Sequence, residues 1–368
     1  MKIETKQEKF TDPLYLESGR ILEPYELIYE TYGELNSEKS NVIVVCHALT
    51  GSHHAAGRYE GERKAGWWDD IIGDGKAVDT EKYFVICVNV IGSCFGSTGP
   101  LSPKYPSSKE YRLQFPVITI SDMVKAQRSL FNRLGIQHAE AIIGGSMGGM
   151  QVLCFAIEHP HFAKRHIMLA STYATQPWAI AFNKVAREAI VKDPAFKNGE
   201  YGSYKIKETG FTGLSLGRMA GYISYLSPSS MHDKFGRRYD EKDGLYDLFG
   251  KFQVEKYLDY NSINFVSWFD PLSYLYITKA INIFDAMRNY DSLEDSLSRI
   301  ISKITLISFK ADMLFLPQEM KHIEDIMIKN KKAHLCNYTE IDSDYGHDAF
   351  LVEIPKFEQI IIDALKPE

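Results

Sequence analysis

A serine flanked by glycines offers the clearest chemistry in this sequence. Ser146 lies in the run 144–151 (GGSMGGMQ), after a β-branched apolar stretch and before a helical pattern. This is a Gly-x-Ser-x-Gly arrangement at a strand-to-helix turn, where small neighbours permit a tight, strained bend. The hydroxyl would be exposed at a helix N-terminus, where the dipole favours developing negative charge. We therefore predict a nucleophile, and a glycine-rich turn that merely begins a helix is the alternative.

The predicted nucleophile needs partners, because a serine hydroxyl reacts poorly unless a base held by an acid takes its proton. His347 is the predicted base, since 346–348 (GHD) follows the last strand-like run. Asp312 is the predicted acid, since it lies in the short loop after the strand-like run 303–309. The order Ser, Asp, His fits serine enzymes with this turn. Weaker candidates share the strand end of the histidine or lie on or beside regular elements: Asp342, Asp344, His322 and His334.

Acyl transfer also requires an oxyanion hole, which is a pair of N–H donors aimed at the carbonyl oxygen of the attacked group. One donor is expected from Met147, the residue after the nucleophile. The other is expected from Leu49, in the loop 47–51 (HALTG) that follows an early strand-like run. A simple turn is the alternative for this loop.

These residues can meet only if a parallel sheet brings several strand ends to one edge. Apolar runs typical of buried strands occupy 41–46, 83–88, 140–143, 166–169, 303–309 and 334–341, and an alternating run occupies 25–35. Helical patterns occupy 121–134, 147–158, 318–329 and 354–365. The alternation predicts an α/β fold in which helices flank a mostly parallel sheet.

The strand pattern stops in the middle of the chain and later resumes. Residues 176–298 contain helical patterns rich in Tyr, Phe and Met but no strong buried-strand run. Two consecutive domains would not resume the first pattern in this way. We predict a core domain formed by 1–175 and 299–368, with a helical lid domain, 176–298, inserted between two core strands.

Composition excludes several classes of function. The 368 residues include 42 Lys and Arg and 48 Asp and Glu, and this net charge of −6 does not favour nucleic acid as a partner. No stretch reaches the roughly 18 apolar residues of a membrane helix, and residues 1–6 (MKIETK) lack the apolar core of a signal peptide, so we expect a cytoplasmic protein without a membrane partner. Five cysteines without a Cys-x-x-Cys pair, and the adjacent His53 and His54, favour neither disulfides nor a metal site.

Beyond the serine turn, the chain resembles the homoserine O-acetyltransferases of the α/β-hydrolase superfamily from about residue 25 to 355. The matching blocks are 47–51 (HALTG), 66–69 (GWWD), 75–77 (GKA), 89–100 (NVIGSCFGSTGP), 144–151 (GGSMGGMQ), 217–227 (GRMAGYISYLS), 234–237 (KFGR) and 346–351 (GHDAFL). A chance hydrolase would share the serine turn and little else. The resemblance implies the α/β-hydrolase fold.

The resemblance also implies a reaction. Ser146 would attack acetyl-CoA, a co-substrate rather than a bound cofactor, and form an acyl-enzyme in a ping-pong mechanism. His347 would then activate the hydroxyl of L-homoserine, giving O-acetylhomoserine for methionine biosynthesis. The family further suggests a homodimer.

Substrate residues carry over from the same blocks. Arg218 would bind the amino-acid carboxylate, because a guanidinium offers a planar fork of donors. Tyr225, seven residues further along the helical pattern, would donate its hydroxyl, and Asp348 would hold the α-ammonium. The alternatives are a surface salt bridge for Arg218, packing for Tyr225 and support of the loop for Asp348.

Several activities remain open on the sequence. They are homoserine O-succinyltransferase, serine O-acyltransferase, a carboxylesterase or thioesterase of the same fold, and a non-catalytic relative. A carboxylate-binding arginine in a covering lid favours transfer over hydrolysis. The chain departs from the family pattern at Ser52, Ser93, Phe95 and Trp268, where the family commonly has Asp, Gly, Lys and Arg. The changes at Phe95 and Trp268 remove basic side chains, and they bear on which acyl-CoA the enzyme uses as donor.

Overall fold

The structure, a computed structural model, describes residues 1–62, 64–202, 211–241 and 244–366. In this part of the chain, eight strands form one central sheet: β1 (Ile3–Phe10), β2 (Tyr25–Tyr32), β3 (Val42–Cys46), β4 (Phe84–Val88), β5 (Ala139–Gly145), β6 (Ala163–Leu169), β7 (Lys303–Phe309) and β8 (Cys336–Ile341). Their spatial order is β1-β2-β4-β3-β5-β6-β7-β8. The pairs β1–β2 and β2–β4 are antiparallel and the other pairs are parallel. The predicted mostly parallel sheet is confirmed.

The strands form where apolar runs can be buried on both faces. All five residues of β3, the sequence VIVVC, are buried. Such runs are typical of parallel strands that helices cover on both sides. The edge strand β1 (IETKQEKF) was missed, because only its last residue is buried and its charged side chains resemble a solvent-exposed segment. Charged residues on an edge strand also discourage pairing with other chains.

Helices cover both faces of the sheet. In the described residues they are α1 (Ile120–Arg133), α2 (Met147–Glu158), α3 (Pro177–Lys192), α4 (Gly213–Tyr225), α5 (Pro228–Phe235), α6 (Gln253–Val266), α7 (Pro271–Asn282), α8 (Leu293–Ser298), α9 (Pro317–Lys329), α10 (Ala349–Val352) and α11 (Glu358–Leu365). Helices α1, α2 and α9 contribute to the apolar core on one face. Helix α11 contributes to the core on the other. None of the described helices is long and apolar enough to cross a membrane.

Short elements complete the described part of the chain. Two-residue strand pairs join Leu14–Tyr15 to Ile21–Leu22 and Ile72–Gly73 to Val78–Asp79. Short 3₁₀ segments occupy Arg112–Gln114, Pro194–Gly199, Gly244–Tyr246, Ala333–Leu335 and Ile354–Lys356. The last two shorten the predicted strand 334–341 and the predicted helix 354–365 at their N-terminal ends.

Helices α3 to α8 all lie between β6 and β7 in the chain. They occupy the segment that the sequence assigned to a helical lid, although residues 203–210 and 242–243 of that segment lie outside the described residues. The division into two domains at 175 and 299 stays a prediction.

Parallel pairing fixes where the functional loops lie. Strands β3, β5, β6, β7 and β8 are consecutive neighbours in the sheet and point the same way. The loops after β3, β5, β7 and β8 therefore emerge at one edge, which is where open α/β sheets bind their ligands. Each of these loops carries a residue predicted to take part in catalysis.

Candidate active site

Ser146 occupies a strained turn between β5 and α2. Its φ is 58° and its ψ is −124°, a backbone conformation that side-chain-bearing residues rarely adopt. Gly148 permits the turn, because a Cβ at that position would lie 2.1 Å from the carbonyl oxygen of Cys46 on β3. The glycine spacing thus predicted the local geometry correctly, and the serine is 9% exposed.

The three predicted catalytic side chains form one hydrogen-bonded line. His347 Nε2 lies 2.9 Å from Ser146 Oγ, and His347 Nδ1 lies 2.7 Å from Asp312 Oδ2. The other carboxylate oxygen of Asp312 accepts hydrogen bonds from the backbone N–H groups of Leu314 (2.9 Å) and Phe315 (3.0 Å). These bonds fix the carboxylate, which in turn orients the imidazole with Nε2 towards the serine.

The charge of Asp312 tunes the imidazole. Burial by itself lowers the pKa of His347, but the charge and hydrogen bond of Asp312, with a further contribution from the charge of Asp348, raise the pKa above its ordinary value. Burial also raises the pKa of Asp348, although the charges of His347 and Arg218 oppose this change. The arrangement suits a base that accepts a proton from Ser146 and stabilises the resulting imidazolium.

Both residues predicted to supply oxyanion donors lie beside the serine. Met147 is the first residue of α2, and the first N–H groups of a helix have no partner within it. Leu49 lies in a turn closed by a 3.0 Å hydrogen bond from the Gly51 N–H to the Ala48 carbonyl, and it lines the same cavity as Ser146. Their role as donors stays a prediction.

A cavity opens above Ser146 beneath the helices that join β6 to β7. The oxyanion turn, α3, α4, α7 and the loops after β7 and β8 contribute side chains to it, among them Ala48, Leu49, Ala179, Phe182, Asn183, Arg218, Tyr225, Tyr274, His347 and Asp348. All three predicted substrate residues therefore share one cavity with the catalytic serine and histidine.

Arg218 is a buried cation with an aromatic surround. Its side chain lies on α4 and the residue is 9% exposed. The guanidinium carbon is 4.5 Å from the ring centre of Tyr222, 4.6 Å from that of Phe265 and 5.2 Å from that of Tyr225. Among the described residues no side chain accepts a hydrogen bond from its Nε. A buried cation with an unpaired N–H group has the charge and a donor with which to bind an anion.

Tyr225 and Asp348 join the helix α4 to the histidine loop. The ring centre of Tyr225 lies 5.9 Å from that of His347. The Asp348 N–H donates to the Tyr225 carbonyl (3.2 Å), and the Ser227 N–H donates to the Tyr345 carbonyl (2.9 Å). The lid helix that carries Arg218 is thus tied directly to the loop that carries the base. The substrate roles of Tyr225 and Asp348 stay predictions.

Sequence reasoning missed one wall of the cavity. Ala179, Phe182 and Asn183 line it from α3, and Tyr274 lines it from α7. The spacing of 179, 182 and 183 is that of one helical face, which could have revealed a shared surface. Nothing in such a face distinguishes a cavity wall from ordinary packing, so the polar Asn183 was the one available signal.

The departures from the family pattern lie off the cavity walls. None of Ser52, Ser93, Phe95 and Trp268 is among the described residues that line it. Phe95 stacks against Trp268, with ring centres 6.2 Å apart, so two positions that are commonly basic in the family form an aromatic contact here.

One of the two adjacent histidines, His54, contacts a buried carboxylate. His54 Nδ1 lies 2.9 Å from the buried Glu30 carboxylate. Among the described residues, no group of three or more His, Cys, Asp or Glu side chains is arranged to hold a metal ion.

Comparisons with known proteins agree with this geometry. A family model described as alpha/beta hydrolase fold matches residues 41–354. The chain is 63% identical over 366 residues to a homoserine O-acetyltransferase of Sulfurimonas autotrophica, covering 99% of each chain. It is 61% identical over 369 residues to a homoserine O-acetyltransferase of Nautilia profundicola, covering 100% of each.

Two solved structures share the whole architecture. Homoserine O-acetyltransferase from Bacillus anthracis superposes with a TM-score of 0.92 at 29% identity, covering 100% of this chain and 99% of that one. Esterase E22 superposes with a TM-score of 0.89 at 28% identity, covering 99% of this chain and 100% of that one. Because the chain is highly identical to named homoserine O-acetyltransferases over its full length, it belongs to the homoserine O-acetyltransferase family and has the α/β-hydrolase fold.

Proposed function

We propose that this protein transfers an acetyl group from acetyl-CoA to the side-chain hydroxyl of L-homoserine, with acetyl-Ser146 as the intermediate. The names of its relatives support the acetyl group and the acceptor. The observation that carries the proposal is Arg218. This buried guanidinium opens onto the same cavity as Ser146 and forms no salt bridge with any described residue, so it suits the carboxylate of an amino-acid acceptor.

In the first half-reaction, His347 Nε2 takes the proton of Ser146 Oγ as the oxygen attacks the thioester carbonyl. The 2.9 Å distance between these two atoms supports this transfer. The carbonyl oxygen becomes an oxyanion that the Leu49 and Met147 N–H groups stabilise. The carbon–sulfur bond then breaks, His347 returns its proton to the sulfur, and free CoA leaves acetyl-Ser146.

In the second half-reaction, homoserine replaces CoA in the cavity. Arg218 binds the carboxylate in a bidentate manner, Tyr225 donates its hydroxyl to it, and Asp348 holds the α-ammonium. These contacts aim the side-chain hydroxyl at the acetyl carbonyl. His347 accepts the hydroxyl proton during attack and gives it to Ser146 Oγ as the ester bond breaks, which regenerates the enzyme and releases O-acetylhomoserine.

Asp312 stabilises the imidazolium that forms in both halves. Hydrogen bonds from the backbone N–H groups of Leu314 and Phe315 hold its carboxylate in place, so it orients the ring without moving. The product of such a reaction is used in methionine biosynthesis. We propose that the protein works in the cytoplasm, where acetyl-CoA and amino acids are available.

We also propose a homodimer. The helices between β6 and β7 expose apolar side chains on α3, α4 and α6, which supports an interface between copies: Trp178, Val185, Leu216, Ile223, Tyr260 and Ile263. Light scattering of the purified protein tests this assignment. A monomer at micromolar concentration would contradict it.

Ester hydrolysis is the second candidate, favoured by the likeness of the whole chain to a solved esterase. The two activities differ in whether water or an acceptor hydroxyl resolves acetyl-Ser146. A carboxylate-binding Arg218 has no function in simple hydrolysis, so the cavity favours transfer.

The test is CoA thiol release from acetyl-CoA, with and without L-homoserine, and with succinyl-CoA and L-serine as alternative substrates. Homoserine-dependent release, with O-acetylhomoserine identified by mass spectrometry, would support the proposal. Preference for succinyl-CoA or serine would keep the mechanism and change the substrate. Release without any acceptor would indicate a thioesterase. Ser146→Ala is the control, since it should form no acyl-enzyme.

A further inference from the structure

His47, at the end of β3, is fully buried and uses both ring nitrogens. Nε2 accepts a 3.0 Å hydrogen bond from the Val90 N–H, so the ring proton is on Nδ1. Nδ1 lies 2.8 Å from the Ala48 carbonyl oxygen and donates to it. Burial lowers the pKa of His47 to about 4 in spite of that hydrogen bond, so the neutral tautomer persists at neutral pH.

The Ala48 carbonyl and the Leu49 N–H belong to the same peptide group. In a planar trans peptide these two bonds point in opposite directions, and cis peptides among the described residues occur only before Pro24 and Pro106. The Ala48 carbonyl also accepts from the Gly51 N–H at 3.0 Å. Two donors therefore fix this carbonyl, and in doing so they fix the direction of the Leu49 N–H on the other side of the peptide.

A second contact holds the peptide group before it. Gln151 Nε2 donates to the His47 carbonyl at 3.2 Å and lies 3.4 Å from the Met147 carbonyl. The Gln151 carboxamide is itself oriented by a 2.7 Å hydrogen bond from Gln127. Gln151 thereby links the turn that carries Leu49 to the first turn of α2, which begins with Met147.

We propose that His47 is a positioning residue that holds the Leu49 N–H in the oxyanion hole. The inference rests on the proposed function in taking Leu49 as an oxyanion donor. His47 is not among the residues that line the cavity, so it acts through the Ala48–Leu49 peptide and not on the substrate. Its hydrogen bond to the carbonyl also polarises the peptide and makes the N–H a stronger donor.

Two substitutions separate the contacts of the ring. In His47→Asn, the amide nitrogen takes the place of Nδ1 and can still donate to Ala48, while the contact with Val90 is lost. In His47→Gln, the amide oxygen takes the place of Nε2 and can still accept from Val90, while the donor to Ala48 is lost. The readouts are the acylation rate with p-nitrophenyl acetate, the kcat and KM of acetyl transfer, and the melting temperature.

We expect His47→Gln to lower the acylation rate and kcat about 100-fold with little change in KM, the size of effect that a small misplacement of a catalytic group produces. His47→Asn should stay within a few-fold of the wild type. His166→Asn is the matched control, because His166 on β6 is equally buried but bonds to the Ser302 hydroxyl, away from the oxyanion turn, and its loss should leave kcat unchanged. Equal rates for both His47 variants, high or low, would overturn the proposal.

If neither His47 variant folds, a variant of Gln151 provides a further test. Gln151→Met releases the His47 carbonyl and should lower kcat at constant KM, whereas an unchanged kcat would overturn the proposal. Failure of the proposed function gives a different result. In that case the wild type would acylate with p-nitrophenyl acetate but would not transfer acetyl to homoserine, and the comparison of His47 variants would still apply to acylation.

Discussion

Replacement of Arg218 by methionine tests the proposed acceptor site most directly. Methionine keeps much of the length of the side chain and its contacts with Tyr222 and Phe265 but removes the charge. Losing one partner of a buried, hydrogen-bonded ion pair costs about 2–5 kcal/mol. We take about 3 kcal/mol, because the 9% exposure of Arg218 leaves little solvent screening. At 1.4 kcal/mol per factor of ten, kcat/KM for homoserine should fall about 100-fold.

Stability should respond differently from activity. In the absence of substrate, Arg218 forms no salt bridge with a described residue, so its removal relieves the cost of a buried charge while losing cation–π contacts. We therefore expect a melting temperature close to that of the wild type. Arg187→Met is the matched control, because this partly buried lid arginine bonds to the Leu275 carbonyl and the Thr278 hydroxyl. Its loss should lower stability and leave the KM for homoserine unchanged.

The assay compares two acceptors. Homoserine and 3-amino-1-propanol are varied at saturating acetyl-CoA; the second compound is homoserine without its carboxylate. The wild type should prefer homoserine strongly, and the Arg218→Met variant should lose most of that preference. Acylation by p-nitrophenyl acetate should be unaffected. A similar loss with both acceptors, or an equal rise in KM for acetyl-CoA and homoserine, would refute the carboxylate site.

Three further predictions concern the triad and its turn. Asp312→Asn should lower kcat by about 10⁴, the loss known for the equivalent change in a serine protease, with small changes in KM, as steady-state kinetics would reveal. In the wild type, kcat/KM should rise as pH increases through a pKa above the ordinary value of histidine, because His347 must be neutral to accept a proton and Asp312 raises its pKa. In Asp312→Asn this rise should move to lower pH. A pH profile without that displacement would contradict the assigned partner. Gly148→Ala should destabilise the fold by about 1–3 kcal/mol in denaturant unfolding, since its Cβ would overlap the Cys46 carbonyl, and wild-type stability would contradict the packing described for the turn.

The sequence predicted the catalytic end of the fold well because local and global signals agree there. The run around Ser146 needs glycine for steric reasons that act within a few residues. Asp312 and His347 could be chosen because each follows a strand whose apolar pattern is unambiguous. The sheet then brings together strand ends that are far apart in the chain, as the 2.7 Å and 2.9 Å contacts show.

Other features left no such signal. The edge strand β1 is largely solvent-exposed and carries charged side chains, so its pairing with β2 depends on backbone hydrogen bonds that any sequence can form. The wall that α3 contributes looks like ordinary helix packing until the lid is placed over the core. The contacts of His47 with Ala48 and Val90 depend on which way a buried ring turns, and residue type alone does not specify that direction.

The tie between α4 and the histidine loop has a consequence for how new activities can arise on this scaffold. Gly346 lets the two segments approach closely, since a Cβ there would lie 2.6 Å from the Ser227 nitrogen. The proposed acceptor site and the catalytic histidine thus meet at one junction between two backbone segments. A substitution that reshapes the cavity near Tyr225 will also shift the imidazole, so selection for a different acceptor must conserve this junction and alter the cavity wall on α3.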